Sequence, residues 1–327
     1  MASHGALRSC VIEFPELALK KFAVVFPGQG SQSVGMMAPY GDLPALRETF
    51  AEASEALGQD LWQMLADGPA ETINQTVNTQ PIMLTAGIAV WRAWLAQGGA
   101  MPSVLAGHSL GEYSALVAAG ALQFADAVQL VRFRAQAMQE AVPAGEGAMA
   151  AVLGLEPDVI EGACNEAAQG QIVSAANLNS PGQIVIAGHA AAVERAMAAC
   201  TALGAKRAVL LPVSAPFHCA LMKPAAERLR ERLAGVAITV PTIPVLNNVD
   251  VATTANPDEI RDALVRQAFS PVRWIETIRR MHADGIEAVY EFGPGKVLAG
   301  LVKRIEGSLA IEAIVDAGRL QQAAAQA

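Results

Sequence analysis

Short apolar runs alternate with helical patterns along the first part of this sequence. The run at 22–26 stops at a Pro-Gly pair, which predicts a buried strand that enters a loop. Helical patterns follow around 45–57 and 81–97, then a second strand is predicted at 104–106 and a helix from 110 to 121. Strands that alternate with helices in this way predict a mostly parallel sheet covered on both faces.

The pattern changes between residues 145 and 213. The predicted elements there are, in order, a strand at 148–153, a helix near 156–168, strands at 171–176 and 183–187, a helix at 189–203 and a strand at 207–211. This β-α-β-β-α-β order is the ferredoxin-like pattern. Because it interrupts the larger α/β pattern, it indicates an inserted subdomain.

The fold class that follows is α/β, with a large domain built on a mostly parallel sheet and a smaller ferredoxin-like insert. The 327 residues are enough for both units. We expect an N-terminal extension over 1–20, the large domain over 21–144 and 214–327, and the insert over 145–213.

Composition excludes several classes of function. Hydrophobic residues make up 53% and charged residues 17%, which indicates a packed globular chain and not a disordered one. A net charge of −8 argues against nucleic acid as a partner, and no apolar run approaches the ~18 residues of a membrane span. The four cysteines have no metal-ligand spacing, which predicts free thiols. Because the sequence has no signal-peptide pattern, we expect a cytoplasmic protein. We also expect it to be a monomer.

The strongest chemical signal is the sequence Gly107-His108-Ser109-Leu110-Gly111, which lies between a predicted strand and a predicted helix. A nucleophile elbow requires this context. The two glycines leave room for a sharp turn that lifts the serine hydroxyl clear of the backbone, while N–H groups at the helix start point toward a developing oxyanion. The alternative is a chance match in a Gly/Ser-rich loop.

A nucleophilic serine needs a base, and histidine is the residue type to seek. His218 follows the last strand of the insert, in a loop that re-enters the large domain, and domain junctions often hold active sites. A structural role for His218 stays open. The other histidines lie in the extension, on the elbow itself or in helix patterns that favour surface or core roles: His4, His108, His189 and His282.

Arg134 is the next informative residue, because it lies on the apolar face of a helix predicted over about 124–142. A buried guanidinium is costly unless it is paired. Its partner can be a carboxylate of the protein or a carboxylate of a ligand, and its planar shape suits bidentate binding of the latter. The sequence leaves both alternatives open.

Two glycine-rich loops do not match nucleotide-binding motifs. The loop at 28–33 lacks the last glycine of the dinucleotide motif, and the loop at 293–296 lacks the spacing of a P-loop. No metal-ligand cluster is visible in the sequence either. We therefore expect neither a metal nor a bound cofactor.

The sequence resembles the malonyl-CoA:acyl carrier protein transacylases of bacterial fatty acid synthesis, from about residue 21 to about residue 314. The matching motifs span most of the chain: Phe26-Pro27-Gly28-Gln29-Gly30-Ser31-Gln32, Gly107-His108-Ser109-Leu110-Gly111-Glu112-Tyr113, Asn177-Leu178-Asn179-Ser180-Pro181-Gly182-Gln183, Pro216-Phe217-His218-Cys219 and Glu291-Phe292-Gly293-Pro294-Gly295. The resemblance implies a hydrolase-like large domain with a ferredoxin-like insert, in agreement with the pattern.

The resemblance also implies a role for each matching residue. Ser109 would be the nucleophile, His218 its base and Arg134 the clamp for the malonyl carboxylate. The backbone N–H groups of Gln29 and Leu110 would form the oxyanion hole. Malonyl-CoA would be a substrate and not a cofactor, and an acyl carrier protein would be the partner.

Further implied roles concern support and specificity. The backbone carbonyl of Gln267 would orient the histidine, and Asn179 would support the histidine loop. Phe217 resembles the malonyl-type loop and not one shaped for a methylmalonyl group. An acidic carrier protein needs a local basic patch; Lys206-Arg207 is the first candidate and Lys303-Arg304 the second, although either pair can simply be solvated surface charge.

The implied mechanism is ping-pong, through a malonyl ester on Ser109 that the phosphopantetheine thiol then attacks. Two rivals remain at this point. A serine esterase or thioesterase shares the elbow but has no use for a buried arginine that faces the acyl group. A scaffold that only binds carrier proteins is not expected to keep Ser109, His218 and Arg134 together.

Overall fold

The structure is a computed structural model that describes residues 21–326. The extension predicted over 1–20, with His4 and Cys10, lies outside the described residues. Within them the strands are β1 Phe22–Phe26, β2 Val104–Gly107, β3 Gly147–Leu153, β4 Val173–Ser180, β5 Gln183–His189, β6 Arg207–Leu210, β7 Val245–Leu246, β8 Ala288–Phe292 and β9 Ala310–Ile314.

The helices of the same part of the chain cover the two sheets that these strands form. They are α1 Pro44–Leu57, α2 Leu61–Asp67, α3 Ala70–Asn74, α4 Thr76–Ala96, α5 Gly111–Ala118, α6 Phe124–Glu140, α7 Pro157–Ala168, α8 Ala190–Ala202, α9 Lys223–Ala234, α10 Pro257–Gln267, α11 Trp274–Ala283, α12 Val297–Ile305 and α13 Ala317–Ala324. None of the helices within residues 21–326 has the length and apolar character needed to cross a membrane.

The larger sheet is parallel throughout. Its strand order is β7-β2-β1-β8-β9, and each neighbouring pair runs in the same direction. All five residues of the central strand β1 are buried, as expected for a strand covered on both faces. The predicted mostly parallel sheet is confirmed. Because the strands are parallel, the loops after β1 and β2 leave the same edge of the sheet.

The smaller sheet is antiparallel, with strand order β4-β5-β3-β6. Its elements follow the order β3-α7-β4-β5-α8-β6, so the α/β fold class with a second, ferredoxin-like unit is confirmed. One detail differs from the prediction. Strand β4 does not end at 176 but continues to Ser180, because a bulge between Ala175 and Asn177 lets it keep pairing with β5.

The core is divided by the parallel sheet into two clusters of buried apolar side chains. Alternate residues of β1 point to opposite faces, so Val24 and Phe26 join one cluster while Ala23 and Val25 join the other. The second cluster also contains buried side chains of the small sheet and its helices, for example Ile184. Apolar packing therefore fixes the insert against the large sheet, and this fixes the space between them.

Candidate active site

A cavity of about 450 Å³ lies between the two sheets, at the edge where β1 and β2 end. Its polar lining includes Ser109, Arg134 and His218, which the sequence singles out separately. Its apolar lining includes Met149 and Val185 from the insert. The site therefore takes residues from both units, as is common for ligand sites.

The turn between β2 and α5 places Ser109 in the left-handed region of backbone conformation, with φ of 52°. Left-handed backbone is unfavourable for a non-glycine residue and is frequent at functional sites. Both flanking residues have to be glycine because neither position has room for a Cβ atom. A Cβ on Gly107 would lie 1.8 Å from the carbonyl carbon of Gly111, and a Cβ on Gly111 would lie 2.1 Å from the carbonyl oxygen of Phe26.

Asn248, two residues after the end of the neighbouring strand β7, holds this turn. Its Oδ1 atom accepts a hydrogen bond from the N–H of Ser109 at 2.7 Å, and its Nδ2 donates to the carbonyl of Gly107 at 2.7 Å. These two bonds fix the backbone on both sides of His108. The Ser109 N–H is therefore already engaged. The next N–H along the chain, that of Leu110, donates to no backbone acceptor within the described residues and can bind a ligand.

His218 lies directly against the serine. The distance from Ser109 Oγ to His218 Nε2 is 2.6 Å, and His218 Nδ1 lies 2.9 Å from the carbonyl oxygen of Gln267. A carbonyl oxygen only accepts, so Nδ1 carries the proton and Nε2 is free to accept from the serine hydroxyl. The Gln267 carbonyl is the partner that the family resemblance implies.

The environment keeps the His218 ring neutral. Burial lowers the pKa of His218, and the positive charge of Arg134 lowers it further, to about 3. The side chain is only 3% exposed. A neutral imidazole that faces a serine hydroxyl is the state that a general base needs.

Arg134 is buried, with 2% of its surface exposed. Its Nη1 donates to Gln80 Oε1 at 2.9 Å, and its Nη2 donates to Gln267 Oε1 at 2.9 Å and to Ser109 Oγ at 3.2 Å. No carboxylate among residues 21–326 lies within the 4.0 Å of a salt bridge with this guanidinium. Of the two partners that the sequence leaves open, this favours a carboxylate of a ligand.

The proposed oxyanion donors lie at the same end of the cavity. Gln29 follows β1 and Leu110 follows Ser109, and Gln29 lines the cavity. Neither backbone N–H donates to an acceptor within the described residues. The side chain of Gln29 is tied instead to Thr76 Oγ1 and to Gln80, each at 3.3 Å. Both N–H groups are thus available to a ligand.

The side-chain hydrogen bond of Asn179 goes to the elbow residue His108, and the support of the His218 loop by Asn179 stays a prediction. Its Oδ1 lies 2.8 Å from Nε2 of His108. The reason is that β4 continues to Ser180 and carries Asn179 toward the elbow.

Two other histidines lie away from the serine. His189 accepts a hydrogen bond from the N–H of Ile172 at 3.0 Å, and His282 is exposed on α11.

The four predicted docking cations are exposed, and none forms a salt bridge within the described part of the chain. Lys206 directly precedes β6 and Arg207 begins it, and this strand leads to the cavity residues Leu211 and Val213. Arg304, next to Lys303 on α12, donates at 2.9 Å to Gln183 Oε1, and Gln183 lines the cavity.

Three polar residues of the site were not identified from the sequence: Gln80, Glu112 and Asn248. Gln80 is buried near the start of α4, where a single glutamine gives no signal of its own. Glu112 stands within the motif quoted for the elbow, and Asn248 follows the short apolar run of β7.

In the part of the chain that is described, no group of three or more His, Cys, Asp or Glu side chains could hold a metal ion.

Comparison with known proteins gives a consistent result. The sequence model of the acyl transferase domain family matches residues 23–324. The malonyl CoA-acyl carrier protein transacylase of Escherichia coli strain K12 is 59% identical over 297 residues, which are 90% of this chain and 96% of that protein. These matches extend over both units of the fold.

Solved structures agree with the sequence matches. The acyl carrier protein S-malonyltransferase of Vibrio cholerae is 56% identical, with a TM-score of 0.91 over 93% of this chain and 99% of that one. A type II PKS acyl-carrier protein in complex with its malonyl-transacylase gives 52% identity and a TM-score of 0.93, over 94% of this chain and 100% of that chain.

The neutral state of His218 predicts how the reactivity of Ser109 depends on pH. A serine-directed sulfonyl fluoride should label Ser109 at a rate that stays constant as pH falls through 6.5, the usual histidine pKa. The reason is that the folded-state pKa of His218 is about 3, so the base stays neutral. The measurement is the labelling rate by intact mass between pH 5 and 8. A rate that halves near pH 6.5 would contradict the prediction.

Two controls are needed for this measurement. Ser109→Ala should take up no label at any pH. A folded-state pKa below the unfolded value of His218 contributes stability that is present above about pH 6.5 and is lost as pH falls toward 3. Circular dichroism at each pH therefore has to establish that the protein is still folded.

Proposed function

This chain belongs to the acyl transferase family, among its malonyl-CoA:acyl carrier protein transacylases, and from that premise we propose how its site works. The enzyme moves a malonyl group from coenzyme A to the phosphopantetheine thiol of an acyl carrier protein. The observation that carries the proposed roles is the Arg134 guanidinium, which forms no salt bridge within residues 21–326 and lies 3.2 Å from the hydroxyl oxygen of Ser109. A cation at this place suits an acyl group that ends in a carboxylate.

The first half-reaction forms the acyl-enzyme. His218 Nε2 takes the hydroxyl proton of Ser109 while Ser109 Oγ attacks the thioester carbonyl of malonyl-CoA. The N–H groups of Gln29 and Leu110 stabilise the oxyanion of the tetrahedral intermediate. The carbon–sulfur bond then breaks, and the coenzyme A thiolate takes the proton from His218. A malonyl ester on Ser109 remains.

The second half-reaction runs the same steps with a different thiol. The phosphopantetheine thiol gives its proton to His218 and attacks the ester carbonyl, and the Ser109 oxygen leaves and recovers the proton. This is a ping-pong scheme, in which coenzyme A departs before the carrier protein reacts. Arg134 binds the malonyl carboxylate in one position through both halves.

The rival functions fit the site less well. A serine esterase has no use for a buried and unpaired cation beside its nucleophile, whereas Arg134 has that position here. A scaffold that only binds carrier proteins does not require Ser109 Oγ and His218 Nε2 at 2.6 Å. Both arguments support a transferase with an acidic acyl substrate.

Several further properties are proposals on the same basis. We divide the chain into an extension over 1–20, a catalytic domain over 21–144 and 214–327, and an insert over 145–213, and the two separate sheets support that division. We also place the enzyme in the cytoplasm as a monomer. Coenzyme A and the carrier protein are substrates, and the proposed steps use only side chains and backbone groups of the chain.

The central test of the function is the acyl-enzyme. Malonyl-CoA alone should add one malonyl group to the protein, because the ester on Ser109 waits for a thiol acceptor. The adduct is measured by intact mass and located by peptide mapping. Ser109→Ala should take up none while it remains folded. An adduct on the neighbouring thiol of Cys219 would reject the assignment of Ser109.

Arg134→Ala should lower kcat/KM for malonyl transfer. The expected loss corresponds to about 2–4 kcal/mol, the scale of a desolvated charge-assisted pair. Transfer of acetyl should fall much less, because acetyl has no carboxylate. The matched control is Arg132→Ala on the same helix, whose guanidinium bonds to Gln59 and not to the site. Equal losses for malonyl and acetyl would show that Arg134 is structural.

We further propose that the exposed pair Lys206 and Arg207 steers the acidic carrier protein to the cavity. Charge reversal of both residues to Glu should raise KM for the carrier protein and flatten its salt dependence. Transfer to free pantetheine should change little. The same measurements on Lys303 and Arg304 test the second candidate patch.

The matched control for the docking test is charge reversal of Arg279 and Arg280, an adjacent exposed pair on α11 that does not line the cavity. It makes the same change in net charge at another place. If this control raises KM for the carrier protein as much as the Lys206 and Arg207 variant does, the effect is one of overall charge, and docking at β6 is rejected.

A further inference from the structure

One amide side chain separates a buried acid from the buried cation of the site. Glu112 on α5 and Gln267 at the end of α10 are 2% and 0% exposed. Gln267 Oε1 accepts from Arg134 at 2.9 Å, while Gln267 Nε2 donates to Glu112 Oε2 at 2.9 Å. The acid and the cation are thus joined through Gln267 and do not touch each other.

Chemistry allows only one orientation of this amide. A guanidinium only donates, so it requires the oxygen of the amide, and an ionised carboxylate only accepts, so it requires the nitrogen. Gln267 Nε2 also donates to the backbone carbonyl of Ser109 at 2.9 Å. Each end of the Gln267 side chain therefore has partners that fix it.

Glu112 has further partners that suit its ionised form. Its Oε2 accepts the backbone N–H of Asn248 at 2.9 Å. Burial raises the pKa of Glu112 to about 7, against the opposite effects of these donors and of the Arg134 charge. Above that pKa the ionised acid supplies a counter-charge to the buried cation without direct contact.

The separation matters because a direct ion pair would occupy the guanidinium. A carboxylate that bonds directly to Arg134 would use the donors that a ligand carboxylate needs, and it would cancel the charge that attracts the ligand. With no acid at all, the buried cation would carry an uncompensated desolvation cost. An acid that is separated from Arg134 by one amide side chain partly offsets that cost and leaves the guanidinium available to a ligand carboxylate.

We infer that Gln267 is a specificity-determining positioning residue, whose side-chain amide keeps Glu112 from pairing directly with Arg134 and so preserves selectivity for acyl groups that end in a carboxylate. This inference rests on the proposed function. It concerns only the side chain of Gln267. The backbone carbonyl that bonds to His218 is present whatever side chain stands at 267, so the two roles can be separated by substitution.

The test is a double-mutant cycle read out as the ratio of malonyl to acetyl transfer, each as kcat/KM. Gln267→Met removes both polar ends, so Glu112 and Arg134 lose their shared partner, and the flexible Met side chain can move aside and let them pair directly. The ratio should fall at least tenfold. Adding Glu112→Gln to that variant removes the competing carboxylate, and most of the lost ratio should return. Glu112→Gln alone should keep the ratio within a few-fold of the unmodified protein.

Two further variants keep the result interpretable. Gln267→Glu has nearly the same size and puts a carboxylate directly beside Arg134, so the ratio should also fall, and Glu112→Gln should not restore it. Gln136→Met, an exposed glutamine on the Arg134 helix, is the matched control and should leave the ratio unchanged. Thermal unfolding of each variant establishes that it is folded.

The outcomes separate this inference from the proposed function. If the unmodified protein transfers no malonyl group, the proposed function fails and this inference fails with it. If it transfers malonyl but Gln267→Met and Gln267→Glu reduce both acyl groups equally, the function stands and the specificity role of Gln267 is rejected. If the ratio falls but Glu112→Gln restores none of it in the Met background, competition by Glu112 is rejected.

Discussion

The site depends on a tight turn that would be unfavourable alone. Ser109 has a left-handed backbone, and the turn is possible only because Gly107 and Gly111 leave no Cβ in the space between β2, α5 and β1. The two hydrogen bonds from Asn248 hold the turn on either side of His108. They also engage the Ser109 N–H and leave the Leu110 N–H for an oxyanion. The position of the nucleophile and the proposed oxyanion donor thus follow from one local constraint.

A neutral histidine and a charged arginine share this buried space, and each affects the other. The charge of Arg134 adds to the effect of burial in lowering the pKa of His218, which keeps the base unprotonated but makes it weak. In the proposed mechanism the malonyl carboxylate offsets that charge when it binds. His218 then becomes a stronger base at the moment when Ser109 must lose its proton. An acyl group without a carboxylate lacks this effect, so selectivity need not come from binding alone.

The sequence predicts what is local, and it predicts less where distant segments meet. The elbow, strands β1 and β2 and the four strands of the small sheet follow from short-range patterns, whereas β7, β8 and β9 were not predicted. The family resemblance points to Ser109, His218 and Arg134 as a group. The partners that join these residues come from far away in the chain: Asn248 is 139 positions from Ser109, and Gln267 is 133 positions from Arg134. A single buried amide leaves no periodic signal, so the sequence does not predict the roles of Gln80 and Asn248 or the hydrogen bond of Asn179 to His108.

Gln267 connects the two halves of the proposed chemistry. It is the last residue of α10, where backbone carbonyls lack partners within the helix, so its carbonyl is free to accept a hydrogen bond from the Nδ1–H of His218. Its side chain bonds to Arg134 from the same Cα position. A movement of the backbone at Gln267 would therefore change both the orientation of the base and the position of the proposed carboxylate clamp. A shift of the end of α10 would move both, which explains why an amide anchored to Glu112 and to the Ser109 carbonyl stands at this position.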